Sequence, residues 1–154
     1  MTGPFAGARR IPGSADGSRA GYVLHRADLV YEVISDLNKN PHDEGFVHRL
    51  ADRDLTGDPD CEFAVGVYRM APGMRHPAHL HASSAEFYYV LSGTALFTIG
   101  AESFTAGAGT AMYIPPGTPH AISTDESEME LIYSFHVPDL AGIGTVWLDE
   151  PGPR

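Results

Sequence analysis

The sequence predicts an all-β domain, a closed double sheet built from eight or more short strands. The first observation is period-2 alternation: Phe63, Val65 and Val67 share one face of a strand that ends at the Ala-Pro-Gly turn of residues 71–73. The second is that every other residue from 129 to 137 is apolar. The third is that turns containing glycine or proline separate these runs along most of the chain after residue 60.

The length of 154 residues suits one domain, which we place at residues 21–154. Residues 1–20 are rich in Gly, Ala, Pro, Ser and Arg and predict a flexible N-terminal tail, or an arm that orders only against another subunit. Residues 28–41 are ambiguous, because their apolar spacing suits a helix capped by Asp28 while their β-branched residues favour a strand. Residues 42–60 predict an acidic, solvated connection.

Composition excludes several classes of function. The formal net charge of −10 disfavours nucleic acid as a partner, because such a surface repels phosphate backbones. No apolar run approaches the ~20 residues that span a bilayer, and no secretory signal precedes the domain, so we expect no membrane association and a cytoplasmic location. Cys61 is the single cysteine, which rules out an intramolecular disulfide and a thiolate metal cluster.

Candidate metal ligands stand in residues 73–93. His79 and His81 are two residues apart on a predicted strand and therefore project from the same face. Glu86 follows five residues later and opens an aromatic and β-branched run at residues 87–91, which predicts the next strand. Two such strands can aim two imidazoles and a carboxylate at one point, a ligand set that suits a divalent transition metal. One His-x-His pair is weak evidence by itself.

A second segment, residues 109–120, supplies another candidate ligand. His120 follows a Pro-Pro-Gly turn that contains Pro115 and Gly117. Proline restricts φ and glycine permits positive φ, so this turn should hold His120 in a defined direction.

Together the two segments resemble the cupin family. The first fits G-x5-H-x-H-x4-E-x6-G, and the second fits G-x5-P-x-G-x2-H, with correct spacing at every fixed position. Motif 1 spans residues 73–93 and motif 2 spans residues 109–124; the asparagine that usually ends motif 2 is Thr124 here. The resemblance implies a single cupin jelly-roll β-barrel and identifies His79, His81, Glu86 and His120 as ligands of one metal ion.

Three neutral imidazoles and one carboxylate predict one divalent transition metal per chain, and Fe(II), Mn(II), Ni(II), Cu(II) and Zn(II) all suit these donors. An ion that prefers six ligands would keep two open positions, which is typical of a catalytic rather than a structural site. The alternative is a metal that only braces the barrel.

The predicted function is therefore an enzyme acting on a small oxygenated organic substrate, with dioxygenation as the leading reaction. One alternative is a redox-neutral lyase, isomerase or cyclase in which Glu86 acts as the catalytic base. Another is a non-catalytic module that binds sugars or other small ligands. His76, three residues before His79, is a candidate proton carrier, and Tyr88 shares strand parity with Glu86 and is expected to line the pocket.

The family resemblance also implies a homodimer formed through sheet or arm exchange. Phe87, Tyr89 and Leu91 alternate with Glu86 and Tyr88 and should point out of the barrel. An outward apolar face of this kind fits a buried contact between subunits.

Overall fold

The computed structural model describes residues 7–17 and 21–148, which form twelve strands and two short α-helices. The strands are β1 (Arg9–Ile11), β2 (Gly21–Val23), β3 (Glu32–Val33), β4 (Phe46–Ala51), β5 (Ala64–Met70), β6 (Arg75–His81), β7 (Glu86–Ile99), β8 (Glu102–Gly107), β9 (Ala111–Ile114), β10 (His120–Ser123), β11 (Met129–Phe135) and β12 (Thr145–Trp147). The helices are α1 (Ile34–Asn38) and α2 (Arg53–Thr56), with 3-10 turns at Arg26–Asp28 and Leu140–Ile143.

One curled antiparallel sheet of ten strands makes up the body of the domain. Its main order is β12-β6-β10-β7-β11-β5-β4-β3, and β8 and β9 also pair with β7. The long strand β7 links two halves: its first residues pair with β9 and β11, and its last residues pair with β8 and β10. This arrangement confirms the predicted all-β fold, with the two halves facing each other across the core.

Side-chain alternation along the central strands forms the core. In β11, Met129, Leu131, Tyr133 and Phe135 are all buried, as the sequence pattern predicts. In β7, Tyr88 and Val90 point inward, whereas Phe87, Tyr89 and Leu91 are exposed. Large inward side chains from both halves therefore fill the interior, and the outer face of β7 remains partly apolar.

A glycine permits β7 to pass from one half of the sheet to the other. Gly93 adopts φ +73°, and a Cβ at this position would lie 1.8 Å from the carbonyl oxygen of Glu128. The register of the facing strand shifts between Glu130 and Leu131, close to the same point. No other residue fits here without moving backbone, because both the positive φ and the close approach exclude a side chain.

The ambiguous segment near residue 30 contains both of the expected structures. Asp28 ends a 3-10 turn and does not cap a long helix; β3 follows, and α1 starts only at Ile34. His48 of β4 is fully buried beneath this segment, and its Nδ1–H donates to the carbonyl of Val30 at 2.5 Å. Tertiary contact with the sheet thus replaces the regular helix that the spacing of apolar residues allows.

The predicted flexible tail lies partly outside the described residues, at positions 1–6 and 18–20. The strand β1 lies between these two stretches and pairs with β2, which follows residue 20, in a separate two-stranded sheet. Within the part of the chain that the structure describes, no helix has the length and apolar character to cross a membrane.

Candidate metal centre

Three neighbouring strands carry the four predicted metal ligands. His79 and His81 lie on β6, His120 begins β10, and Glu86 begins β7. Because β10 lies between β6 and β7, residues far apart along the chain become neighbours, and His120 pairs directly with His79. All four side chains point inward and are buried.

The Pro-Pro-Gly turn orients His120 as the sequence predicts. The N–H of Thr118 donates to the carbonyl of Pro115 at 3.2 Å, and Gly117 adopts φ +74°, the conformation that a type II turn requires at this position. The N–H of Gly117 also donates to the carbonyl of His81 at 2.8 Å. This second bond ties the turn that carries one candidate ligand to the strand that carries two others.

The structure brings the four predicted ligands together at one point. One ligand atom from each of His79, His81, Glu86 and His120 lies within 4.8 Å of the others. The ring nitrogens that point away from the cluster contact backbone carbonyls. Nδ1 of His79 contacts the carbonyl of Pro77 at 2.7 Å, and Nδ1 of His120 contacts the carbonyl of Thr118 at 2.9 Å. A carbonyl can only accept, so in both rings Nδ1 carries the proton and a neutral ring presents the lone pair of Nε2 inward.

These inward lone pairs fit a cation. Nε2 of His81 and Nε2 of His120 lie 3.0 and 2.9 Å from the same carboxylate oxygen of Glu86. Nε2 of His79 is buried and has no hydrogen-bond partner among the described residues. A buried acceptor without a donor is costly, and a metal ion between the four groups would satisfy all of them. The donor set therefore suits one divalent transition metal.

The electrostatics of the cluster favour the protonation states in which these residues can bind a metal. Burial and the three neighbouring histidines hold the pKa of His79 well below its usual value. Burial alone would raise the pKa of Glu86, but the close contacts of its carboxylate with the rings of His120 and His81 outweigh burial and lower the pKa to about 2. Near neutral pH His79 is therefore neutral and Glu86 is ionised, as metal binding requires.

A cavity opens onto this cluster inside the barrel. Its floor is formed by His79, His81 and Glu86, and Tyr88 lines it as predicted. Its apolar wall comes from distant parts of the chain: Ile34 and Leu37 of α1, Val47, Phe135, Leu140 and Ile143. The cluster thus has access to a chamber that could hold a small molecule.

His76, the other predicted site residue, is not one of the four clustered groups but lies against them. Its ring centroid is 4.4 Å from that of His79, and it lines the cavity. Its Nδ1–H donates to Asp43 at 2.5 Å, and Asn38 donates to the second carboxylate oxygen of Asp43 at 2.8 Å. Burial lowers the pKa of His76, but the attraction of Asp43 outweighs this effect and raises it. His76 therefore belongs to a buried Asp–His pair beside the cluster.

Sequence reasoning missed several residues of the site. Asp43 falls in the segment predicted to be a solvated connection, yet it is buried behind His76. Thr145 contacts Nδ1 of His81 at 3.1 Å, and the ring of Trp147 lies 5.0 Å from that of His79. Neither residue belongs to a motif, and only the pairing of β12 with β6 brings them to the site. No local signal in the sequence identifies them.

Thr124, which replaces the usual final asparagine of motif 2, lies in a structural position. Its hydroxyl donates to the carbonyl of Ala71 at 2.6 Å, and it accepts from the N–H of Met74 at 3.0 Å. Both contacts stabilise the turn that leads into β6. The substitution thus leaves the candidate ligands unchanged.

The fold and the site define a class: an antiparallel β-barrel protein with a buried three-histidine, one-carboxylate candidate metal centre. Residues 66–136 match the family model of the cupin domain. This part of the chain is a cupin domain, and the resemblance seen in the two motifs is confirmed.

Sequence relatives match parts of the chain. An uncharacterized protein of Methanocaldococcus jannaschii is 44% identical over 50 residues, which cover 32% of this chain and 40% of the relative. An uncharacterized protein of Streptomyces coelicolor is 29% identical over 76 residues, 49% of this chain and 71% of the relative. Mannose-1-phosphate guanylyltransferase of Salmonella typhimurium is 29% identical over 60% of this chain, which is only 20% of its own length.

Solved structures share the fold. A variant of oxalate decarboxylase from Bacillus subtilis aligns with TM-score 0.59 and 26% identity, over 69% of this chain and 29% of the enzyme. A double-stranded β-helix protein of Klebsiella pneumoniae aligns with TM-score 0.57 and 16% identity, over 70% of this chain and 86% of that protein. At 16% identity the second likeness concerns the fold alone. This chain spans less than a third of the decarboxylase, whose activity belongs to the longer protein.

Proposed function

We propose that the protein is a metal-dependent cupin enzyme that acts on a small oxygenated organic molecule. One observation carries the proposal: four buried ligand atoms converge within 4.8 Å beside a cavity that His79, His81 and Glu86 line, and Nε2 of His79 has no hydrogen-bond partner among the described residues. His79, His81, Glu86 and His120 would hold one divalent ion per chain. A site that opens onto a cavity is typical of catalysis, whereas structural sites are normally closed.

The bound ion would supply Lewis-acid activation of a substrate oxygen and, for a redox-active ion, electron-transfer chemistry. The residues of the chain contribute orientation and exclusion of water. The carbonyls of Pro77 and Thr118 fix the rings of His79 and His120, and the apolar wall keeps bulk water from the reacting atoms. O₂ is itself apolar and is compatible with an apolar chamber, and dioxygenation is the leading reaction that we propose. The likeness to oxalate decarboxylase supports an enzymatic role for this fold.

A second reaction class is favoured by the pair of His76 and Asp43. His76 lines the cavity, and Asp43 behind it fixes which ring nitrogen carries the proton. Together with Glu86 this pair provides two sites for proton transfer next to a bound substrate. A redox-neutral lyase, isomerase or cyclase would use both of them and would need no O₂.

Metal content tests the centre itself. We expect the protein purified without chelator to carry close to one divalent first-row ion per chain, measured by elemental analysis. His79→Ala should lose most of this metal, because it removes one of four ligands and admits water. His25→Ala is the matched control, since His25 is exposed and outside the cluster. Absence of metal from both purified and reconstituted wild type would refute the centre.

Oxygen dependence separates the two reaction classes. Fe(II)-loaded protein would be mixed with a panel of small enolisable ketones, diols and keto acids while O₂ uptake and product formation are followed. Uptake that requires both protein and substrate supports dioxygenation. Turnover that persists under anaerobic conditions supports the redox-neutral reaction. Saturable binding of a panel member without any product would contradict the enzymatic proposal and favour a ligand-binding module.

A further inference from the structure

The cavity beside the candidate metal centre contains no arginine or lysine among the described residues that line it. Most of its wall is aliphatic or aromatic: Ile34, Leu37, Val47, Phe135, Leu140 and Ile143. A ligand that enters must therefore place most of its surface against hydrocarbon. A charged group on that part of the ligand would lose its hydration without gaining an ion pair.

Three polar side chains of the lining are already engaged with the protein. The hydroxyl of Tyr68 donates to the carbonyl of Glu44, Thr145 contacts His81, and Asn38 donates to Asp43. They offer little to a second charged end of a ligand. Glu86 places a carboxylate on the floor of the cavity, and Asp43, behind His76, is hydrogen-bonded to that ring and does not line the cavity.

Charge balance limits the ligand further. A divalent ion held by three neutral imidazoles and ionised Glu86 has a net charge near +1. A ligand that binds as a monoanion neutralises this charge. A dianion would leave an excess negative charge next to the apolar wall, where the described lining has no arginine or lysine to compensate it and His76 is already paired with Asp43.

The cavity is also small. The space inside it that is accessible to water is ≈ 40 Å³. This is room for about three water molecules by the usual minimum volume per water. Only a compact ligand fits without movement of α1 or of the 3-10 turn Leu140–Ile143.

We propose that this cavity selects a small substrate with an apolar body that binds through two oxygen atoms as a monoanion, and that it discriminates against dicarboxylates. This inference rests on the proposed metal centre and narrows its substrate class. It also predicts a substrate class different from that of oxalate decarboxylase, whose name identifies a dicarboxylate substrate, although the folds are alike.

Binding to the zinc-loaded protein tests the proposal without any turnover. Zn(II) is redox-inert, and acetohydroxamate and oxalate are matched bidentate probes of similar size, the first a monoanion with a methyl group and the second a dianion. Binding would be measured by calorimetry and by the fluorescence of Trp147, the single tryptophan, whose ring lies 5.0 Å from that of His79. Each affinity is divided by that of the same probe for aqueous Zn(II) in the same buffer. We expect the normalised affinity to favour acetohydroxamate by at least about tenfold.

A substitution in the wall of the cavity tests whether the preference for the monoanion over oxalate can be reversed. Leu140→Arg adds a cation to the wall of the cavity and should raise the normalised affinity for oxalate by about tenfold, with little gain for acetohydroxamate. Leu140→Met is the control for size and packing, and circular dichroism verifies folding of both variants. If Leu140→Arg does not fold, the wild-type comparison still decides the question.

The outcomes distinguish this inference from the function on which it rests. If the protein takes up no zinc, both the metal centre and the selectivity fail. If zinc binds and oxalate matches or exceeds acetohydroxamate after normalisation, the selectivity is overturned while the metal centre stands. Uptake of zinc without binding of acetohydroxamate also overturns the selectivity.

Discussion

At the residue scale, the site depends on which nitrogen of each histidine carries a proton. Backbone carbonyls two residues before His79 and His120 accept from Nδ1 in both cases, so each ring is fixed by its own local chain. The lone pairs of Nε2 are then directed inward before any ion is bound. Preorganisation of this kind reduces the entropy that metal binding would otherwise cost. Glu86 is the one ligand of different chemistry, because its carboxylate can also accept a proton from a substrate.

Glu86→Gln tests that second role. The amide keeps the size and a weak oxygen ligand but cannot act as a base. We expect the variant to retain most of its metal and to lose at least ~100-fold in turnover, the usual scale for a lost general base. The measurements are elemental analysis and steady-state rates on the substrate that the oxygen panel identifies.

Glu102→Gln is the control, because it makes the same chemical change at an exposed position on β8. We expect it to leave the metal content and the turnover unchanged. Activity of Glu86→Gln within a few-fold of wild type, with metal still bound, would show that Glu86 only balances the charge of the ion.

At the element scale, β7 connects the two halves of the sheet and begins with a candidate ligand. Its first residue is Glu86, and its direction changes at Gly93, where the chain passes against the carbonyl of Glu128. Correct placement of Glu86 relative to β6 and β10 therefore depends on this crossing. Gly100, in the turn between β7 and β8, also has a positive φ of +59°, but a Cβ at this position would meet no described atom within 4 Å.

These two glycines make a matched pair for stability measurements. Gly100→Ala should cost about 1 kcal/mol, because only the left-handed backbone conformation is penalised. Gly93→Ala should cost about 3 kcal/mol or more, because the added methyl group also meets backbone that must move. Urea unfolding of both variants and wild type gives the two values. Equal losses would mean that the close approach at Gly93 relaxes without cost.

At the scale of the whole molecule, an apolar face remains on the outside of the sheet. Phe87, Tyr89, Leu91 and Tyr113 are 41%, 40%, 37% and 66% exposed, and the first three alternate along β7. Side chains of this size are unfavourable in water when they form a continuous patch. We expect a second copy of the chain to cover this face and to form a homodimer.

Light scattering tests the assembly. We expect a mass of about twice the 16.5 kDa chain for the wild type. Tyr89→Arg should shift the protein to a monomer, because it buries a charge in the contact. Leu96→Arg is the control, since Leu96 is also exposed on β7 but lies in its other half. A wild type that is monomeric at micromolar concentration would contradict the dimer.

The sequence alone determined the elements whose signals are local. Strand parity predicted that the alternate side chains of β11 from Met129 to Phe135 point inward and that Tyr89 points outward, because alternation needs no information from elsewhere in the chain. The spacing of the two motifs identified His79, His81, Glu86 and His120, which the structure brings to one point. The structure of the residues around 30 was not predicted unambiguously, because their contact with His48 of the sheet overrides their helical spacing.

Only the tertiary structure decided the surroundings of those four residues. Asp43 meets His76 across 33 positions, and Thr145 meets His81 across 64 positions, and neither partner carries a local signal of the contact. The cavity wall likewise joins α1 to the 3-10 turn Leu140–Ile143 from opposite ends of the chain. Local patterns specify which side chains can bind a metal. Burial, charge and the shape of the chamber arise from long-range packing, because they depend on which distant segments the closed sheet brings together.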